Sequence, residues 1–181
     1  NLTFLKKYEA QGLFEVLEIP AEQIDEANIS SSKIRNAILN GEISVANAYL
    51  GTPFELRGVI VKGLQNGRKI GFPTANIHIL DNNKIIPATG VYAVEMRVKD
   101  SCYQGMMNIG WRPTIQEEKL ERKMEVHLFD FQEDIYDEQC QIRVLEYVRA
   151  EHKFPNLEAL KAQISSDEVT IRTYFSSVQL S

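Results

Sequence analysis

Between residues 54 and 149 the chain repeats one kind of segment and interleaves nothing helical. FELRGVIVKG, GVYAVEMRV, CYQGMMNIG, MEVHLFDF and CQIRVLEYV are β-branched or aromatic-rich and roughly alternate apolar with polar residues. Gly and Pro punctuate the gaps. Five or six strands in about 95 residues without crossover helices require an antiparallel barrel or sandwich. The chain has 181 residues, enough to bury a sizeable core.

Both flanks read differently. Leu2, Leu5 and Tyr8 are spaced as one helix face, with Gly12 as a C-cap. FEVLEI (14–19) reads as a short strand stopped by Pro20. ISSSKIRNAILNGE and SVANAYLG read as two helices ended by Gly41 and Gly51. One strand among three helices cannot make a sheet. Residues 1–50 are therefore expected to be the incomplete end of an α/β domain, and 51–181 the barrel domain. A chain that starts at Asn1 rather than Met is expected to be a piece of something longer. After the last strand, Asn156 is an N-cap, and Leu157, Leu160, Ile164, Ile171 and Phe175 form the apolar stripe of a helix that packs on the barrel.

Charge narrows the function classes. The formal net charge is −5, which disfavours a protein that coats nucleic acid. Only residues 51–100 carry a local positive excess, seven basic against four acidic side chains, and an anionic ligand is expected there. No apolar run reaches membrane-spanning length, and NLTFLKKYEAQG is too polar for a signal peptide. Cys102 and Cys140 are too few for a disulfide framework or a cysteine zinc site, so a reducing cytoplasm is the expected compartment.

Three stretches could carry chemistry. In Gly63-Leu-Gln-Asn-Gly67-Arg68-Lys69-Ile-Gly71-Phe72-Pro73-Thr74-Ala75-Asn76, glycines allow close backbone approach to a phosphate and two cations add charge. Thr74 and Asn76 alternate onto one side of an extended segment as hard oxygen donors suited to Mg²⁺ with phosphate oxygens. The P-loop order is absent. A basic, solvated hairpin tip is equally consistent with these residues. In MEVHLFDF, Glu125, His127 and Phe129 share one face, and Val126, Leu128 and Asp130 the other. Glu125 is a candidate general base, or else a rim glutamate. His127, without a second histidine at ligand spacing, reads as a hydrogen-bonded structural residue. Ile109-Gly110-Trp111-Arg112-Pro113-Thr114 is a ligand flap or a plain β-turn.

Taken together, GRKIGFPTAN (67–76), MNIGWRPT (107–114), MEVHLFDF (124–131) and YVRAEHKF (147–154) resemble, in content and order, the motifs of riboflavin kinases. The resemblance covers roughly residues 51–176. ISSSKIR (29–35) is similar to the phosphate-contacting ISSTKIR element of the FMN adenylyltransferase domain in bacterial bifunctional riboflavin kinase/FAD synthetases, with Ser32 for Thr.

The resemblance implies a mainly β fold: a six-stranded antiparallel Greek-key barrel with a C-terminal helix, after an incomplete α/β segment. It implies the reaction riboflavin + ATP → FMN + ADP with Mg²⁺ or another divalent cation. By position, Thr74 and Asn76 would hold the metal and the ATP phosphates, and Glu125 would accept the ribityl 5′-hydroxyl proton. Gly63, Arg68, Leu128, Asp130 and Tyr136 would complete the nucleotide site. Arg149, His152 and Phe154 would bind the flavin, with Ala150 where the family commonly has Pro. The implied partners are small molecules and an adenylyltransferase domain preceding this stretch, with no nucleic acid and no membrane. A Gly-x-x-His-Gly-His element, which adenylyl transfer requires in that family, does not occur among these residues. FAD synthesis is therefore not expected of them. A barrel that binds flavin or nucleotide without turnover is the competing reading. An intact Thr74, Asn76 and Glu125 set disfavours it, because binding alone needs no base.

Overall fold

The computed structural model describes residues 2–12, 14–17, 23–24, 27–63, 65–113 and 120–178. The chain divides into two compact units, Asn1–Ser30 and Ser31–Ser181.

The first unit holds helix α1 (Leu2–Glu9) and a minimal ladder, β1 (Gln23–Ile24) with β2 (Ala27–Asn28). Phe4 and Tyr8, one turn apart, meet edge to face with centroids 5.0 Å apart. The Gly12 N–H bonds the Glu9 carbonyl and closes the helix, as its spacing predicts. The expected strand at 14–19 does not form over residues 14–17, and 18–19 lie outside the described residues. A strand needs a neighbour to satisfy its backbone. Here the Val16 N–H donates instead to Glu9 Oε1 at 2.8 Å.

The second unit opens with α2 (Ser31–Asn40) and α3 (Ile43–Leu50). Gly51 ends α3 in the left-handed region (φ 69°), where a side chain would be strained. Both helices group with the barrel. Ala37, Ile38, Ile43 and Ala46 are buried in the same core as the strands. Asn47 fastens the pair. Its amide nitrogen donates to the Val144 carbonyl (2.9 Å), and its oxygen accepts from the Phe54 N–H (2.8 Å).

Six strands follow: β3 (Phe54–Val61), β4 (Ala75–Ile79), β5 (Gly90–Val98), β6 (Ser101–Pro113), β7 (Leu120–Leu128) and β8 (Gln139–Arg149). A one-turn helix, α4 (Asn66–Lys69), interrupts the connection from β3 to β4. The strands close in the order β3-β4-β7-β6-β5-β8, every pairing antiparallel. β5, β6 and β7 are successive neighbours and β8 returns beside β5, a Greek-key connection. Inward positions such as Leu56, Ile60, Met107, Val126 and Ile142 fill the barrel. β5 is apolar on both faces. Tyr92, Val94 and Met96 point into the barrel, while Val91 and Ala93 belong to a second core outside it.

That second core is covered by α5 (Leu157–Val178). Asn156 caps the helix, its Oδ1 accepting the Ala159 N–H at 2.8 Å. Ile171 and Phe175 pack on Val91, Ala93, Met106 and Phe129. Of the predicted stripe, Ile164, Ile171 and Phe175 belong to this core, while Leu157 and Leu160 lie outside it and line a pocket. Leu157 is 60% exposed, at the mouth of that pocket. One further expectation changes at the end of β7. Strict alternation puts Asp130 on the inner face with Leu128, but the strand stops at Leu128 and Asp130 turns outward at φ 56°. A carboxylate inside an apolar barrel would lack a partner. In the turn it forks onto Arg172 of α5, at 2.9 and 3.1 Å.

Candidate active site

Two neighbouring pockets open on the wall formed by β4, β7 and the loop between β3 and β4. The larger, about 530 Å³, runs from Lys69, Phe72 and Thr74 across Glu125 and His127 to Arg149, His152, Phe154 and the start of α5. The smaller, about 210 Å³, has an apolar floor of Ile60, Val126, Leu128 and Ile135, with Arg68, Thr74 and Tyr136 at its sides. Thr74 lines both. The adjacent cations Arg68 and Lys69 separate, Arg68 to the smaller pocket and Lys69 to the larger.

The loop is folded on itself and pinned to the strands. Within it, the Phe72 N–H returns to the Gly67 carbonyl at 2.9 Å. His127 Nδ1 lies 2.7 Å from the Pro73 carbonyl, so that nitrogen carries the proton and donates. The Phe72 ring meets His127 edge to face. This is the structural role expected of His127, and it fixes Thr74 at the border between the pockets. At the start of the loop, a β-carbon on Gly63 would run into the Asn76 carboxamide. Only glycine lets the backbone pass that close. Gln65 bonds the Tyr136 hydroxyl at 3.0 Å across the smaller pocket's edge.

Strand register aligns the polar groups. Asn76 on β4, Glu125 on β7 and Asn108 on β6 are directly opposite one another across three neighbouring strands, on the barrel's outer face. Asn76 is 7% exposed. The Glu125 carboxylate, partly shielded at the larger pocket, has Lys123 Nζ at 2.5 Å from Oε1. Opposite, Arg149 is fully engaged. Nε and Nη2 fork onto the buried Asp167 carboxylate, and Nη1 donates to the Ala150 carbonyl at 3.0 Å and lies 3.3 Å from His152 Nδ1.

The expected residues thus separate by place. Arg68, Thr74, Leu128 and Tyr136 surround the smaller pocket. Thr74, Glu125, Arg149, His152 and Phe154 line the larger. Asn76 sits behind Thr74 as the strand partner of Glu125, and Gly63 packs on Asn76. Asp130 lies outside both pockets. Hydrogen bonding to Arg172, more than its charge, holds its carboxyl below the ordinary aspartate range. Lys123, Glu151 and Asp167 line the larger pocket without having been singled out from the sequence.

Thr74 and Asn76 fit a divalent cation in one specific way. They offer neutral oxygens, one at the border of the pockets and one buried in the space that Gly63 leaves open. Among the described residues no group of three His, Cys, Asp or Glu side chains could hold an ion alone. Such a pair suits Mg²⁺, which is commonly held by few protein ligands together with substrate phosphates.

The chain is similar to known proteins over most of its length. The family model described as Flavokinase, riboflavin kinase, matches residues 50–175. The chain is 42% identical over 152 residues to the bifunctional riboflavin kinase/FMN adenylyltransferase of Bacillus subtilis (strain 168), covering 83% of this chain and 48% of that protein. Against the protein of the same description from Listeria monocytogenes, identity is 39% over 179 residues, with 99% and 56% covered. A crystal structure of a Streptococcus pneumoniae protein described as a macrolide-efflux protein superposes with a TM-score of 0.82 at 36% identity, over 91% of this chain and 54% of that one. The chain spans about half the length of the curated relatives it matches. Among the described residues, no helix is long and apolar enough to cross a membrane.

Proposed function

The chain belongs to the riboflavin kinase family, and we propose that its barrel transfers the γ-phosphoryl group of ATP to the 5′-hydroxyl of riboflavin, giving FMN and ADP. The observation that carries this reading is the shared border of the two pockets. Thr74 lines both, and Glu125 faces only the larger. The smaller pocket, with its apolar floor and Arg68, takes the nucleotide. The larger one takes the flavin, whose ribityl chain reaches toward Thr74.

Phosphoryl transfer asks mainly for positioning and for neutralising the negative charge of the transferred group. The riboflavin oxygen forms a bond to the γ-phosphorus as the bond to the ADP oxygen breaks. The hydroxyl proton passes to Glu125. Lys123 occupies one carboxylate oxygen and orients the group. Thr74 and Asn76 would hold Mg²⁺, which when bound neutralises phosphate charge. Arg68 adds positive charge at the nucleotide side. His152 and Phe154, with ring centroids 4.1 Å apart and planes tilted by 49°, bring two aromatic rings to the pocket for an aromatic ligand.

Residues 1–50 correspond in this reading to the end of an adenylyltransferase domain. FMN adenylylation does not belong to these 181 residues, which contain no Gly-x-x-His-Gly-His element. The two cysteines are free thiols, in keeping with work in the reducing cytoplasm. ATP consumption measured with and without riboflavin tests the reading. Consumption that depends on riboflavin supports it. Riboflavin binding without consumption points to a binding module instead.

A further inference from the structure

Asp167 is a buried charged side chain on the apolar stripe of α5, 3% exposed and placed between Ile164 and Ile171. Burying a carboxylate is costly unless it is paired and fully hydrogen-bonded. Here it is. It accepts from Arg149 Nε at 2.9 and 3.0 Å and from Nη2 at 2.7 Å, and from Gln163 Nε2 at 2.8 Å. Arg149 is the last residue of β8, and its remaining donor, Nη1, turns to the Ala150 carbonyl and His152. The guanidinium carbon lies 5.8 Å from the centre of the Phe154 ring. Every polar atom of the Arg149 head is therefore committed to the chain itself. Arg149, which lines the larger pocket, is also the node joining β8, the 150–154 loop and α5.

We infer that Asp167 is a positioning residue for the larger pocket. Through the planar fork of Arg149 it sets where His152 and Phe154 stand. A buried ion pair of this kind adds little net stability compared with apolar packing, and its use is to fix one arrangement. That role is suited to this loop, which has no regular secondary structure of its own between β8 and α5. A lysine cannot replace the fork, because it offers one point charge rather than two parallel donors. The inference rests on the reading of the larger pocket as the flavin site.

The test compares Asp167→Ala, Asp167→Asn and Arg149→Lys with the parent chain, by hydrogen exchange and by kinetics. In the ligand-free protein, amides 150–154 should lose protection in all three variants while β7 keeps its own. In turnover, KM for riboflavin should rise ~10–100-fold in Asp167→Ala. KM for Mg·ATP should stay within about twofold. Asp167→Asn, which keeps one acceptor for the fork, should recover part of the loss. If Asp167→Ala loses protection throughout the barrel, Arg149→Lys, which keeps a buried cation, supplies the same readings. Unchanged protection of 150–154 overturns the inference, as does a rise in both KM values together. A parent chain that does not phosphorylate riboflavin overturns the functional reading alone, since the exchange measurement still decides whether Asp167 holds the loop.

Discussion

Asn76 and Glu125 are direct cross-strand partners on β4 and β7. The register puts a buried carboxamide beside the carboxylate that takes the substrate proton in the proposed reaction. Because Thr74 lies two residues before Asn76, the same strand pair sets the spacing between phosphate-side donors and base. A slip of one residue would turn the whole row to the barrel interior.

Replacing Glu125 by Gln keeps the shape of the site and removes the proton acceptor. The expected result is a kcat lower by ~10²–10⁴-fold with the fold intact. Flavin fluorescence titration should give riboflavin affinity close to the parent's. A variant with near-full kcat would remove Glu125 from the mechanism.

Thr74→Val and Asn76→Leu each delete an oxygen donor from the inferred cation site. Activity followed across a Mg²⁺ titration should shift to higher metal concentration or fall in both variants. Thermal melts of the same samples separate this from loss of fold. If neither curve moves, the 63–76 loop is only a basic hairpin tip.

Gly63→Ala tests the close approach beneath the loop. The added methyl meets the Asn76 carboxamide, so Asn76 or the loop must move. Overpacking of this kind costs about 1–3 kcal/mol. The predicted kinetic consequence is a higher KM for Mg·ATP with riboflavin binding largely unchanged. Equal KM values for parent and variant would show that the contact does not shape the nucleotide side.

Much of this architecture is legible in the sequence because its signals are local. Gly51 follows α3 where a left-handed residue is needed, Asn156 precedes α5, and β3 and the first half of β8 alternate as half-buried strands do. What is not legible depends on contacts distant along the chain. FEVLEI has strand composition, but its described residues, 14–17, pair with no strand and remain irregular. Asp130 continues the β7 alternation in sequence, yet the strand ends before it, and only Arg172, 42 residues later, accounts for its direction. The separation of Arg68 from Lys69 into different pockets follows from the fold of the β3–β4 loop, not from composition. Asp167 did leave a signal: a carboxylate three residues after Ile164 and four before Ile171 falls on the buried stripe. Its partner, on another element, could not be read from that spacing.

The two thiols should differ in reactivity. Cys140 is buried in the barrel, and desolvation pushes its thiol up to about 11. At pH 8 only about one part in a thousand would then be the reactive thiolate. Cys102 is exposed, though partial burial and the nearby Glu95 carboxylate raise its thiol as well. An aromatic disulfide reagent at pH 8 should titrate one thiol in the native protein, more slowly than a free cysteine, and both in denaturant. Prompt reaction of both in the native state would contradict the closed barrel around Cys140.

The central claim is that this chain joins ATP chemistry in one pocket to a flavin in the next. Phosphorus NMR of the chain incubated with ATP, Mg²⁺ and riboflavin reads it most directly. The account predicts one phosphate monoester of the flavin for each ADP formed, with neither signal growing when riboflavin is left out. ADP accumulating with inorganic phosphate in place of the monoester would contradict it, as would flavin bound to the protein with ATP left intact.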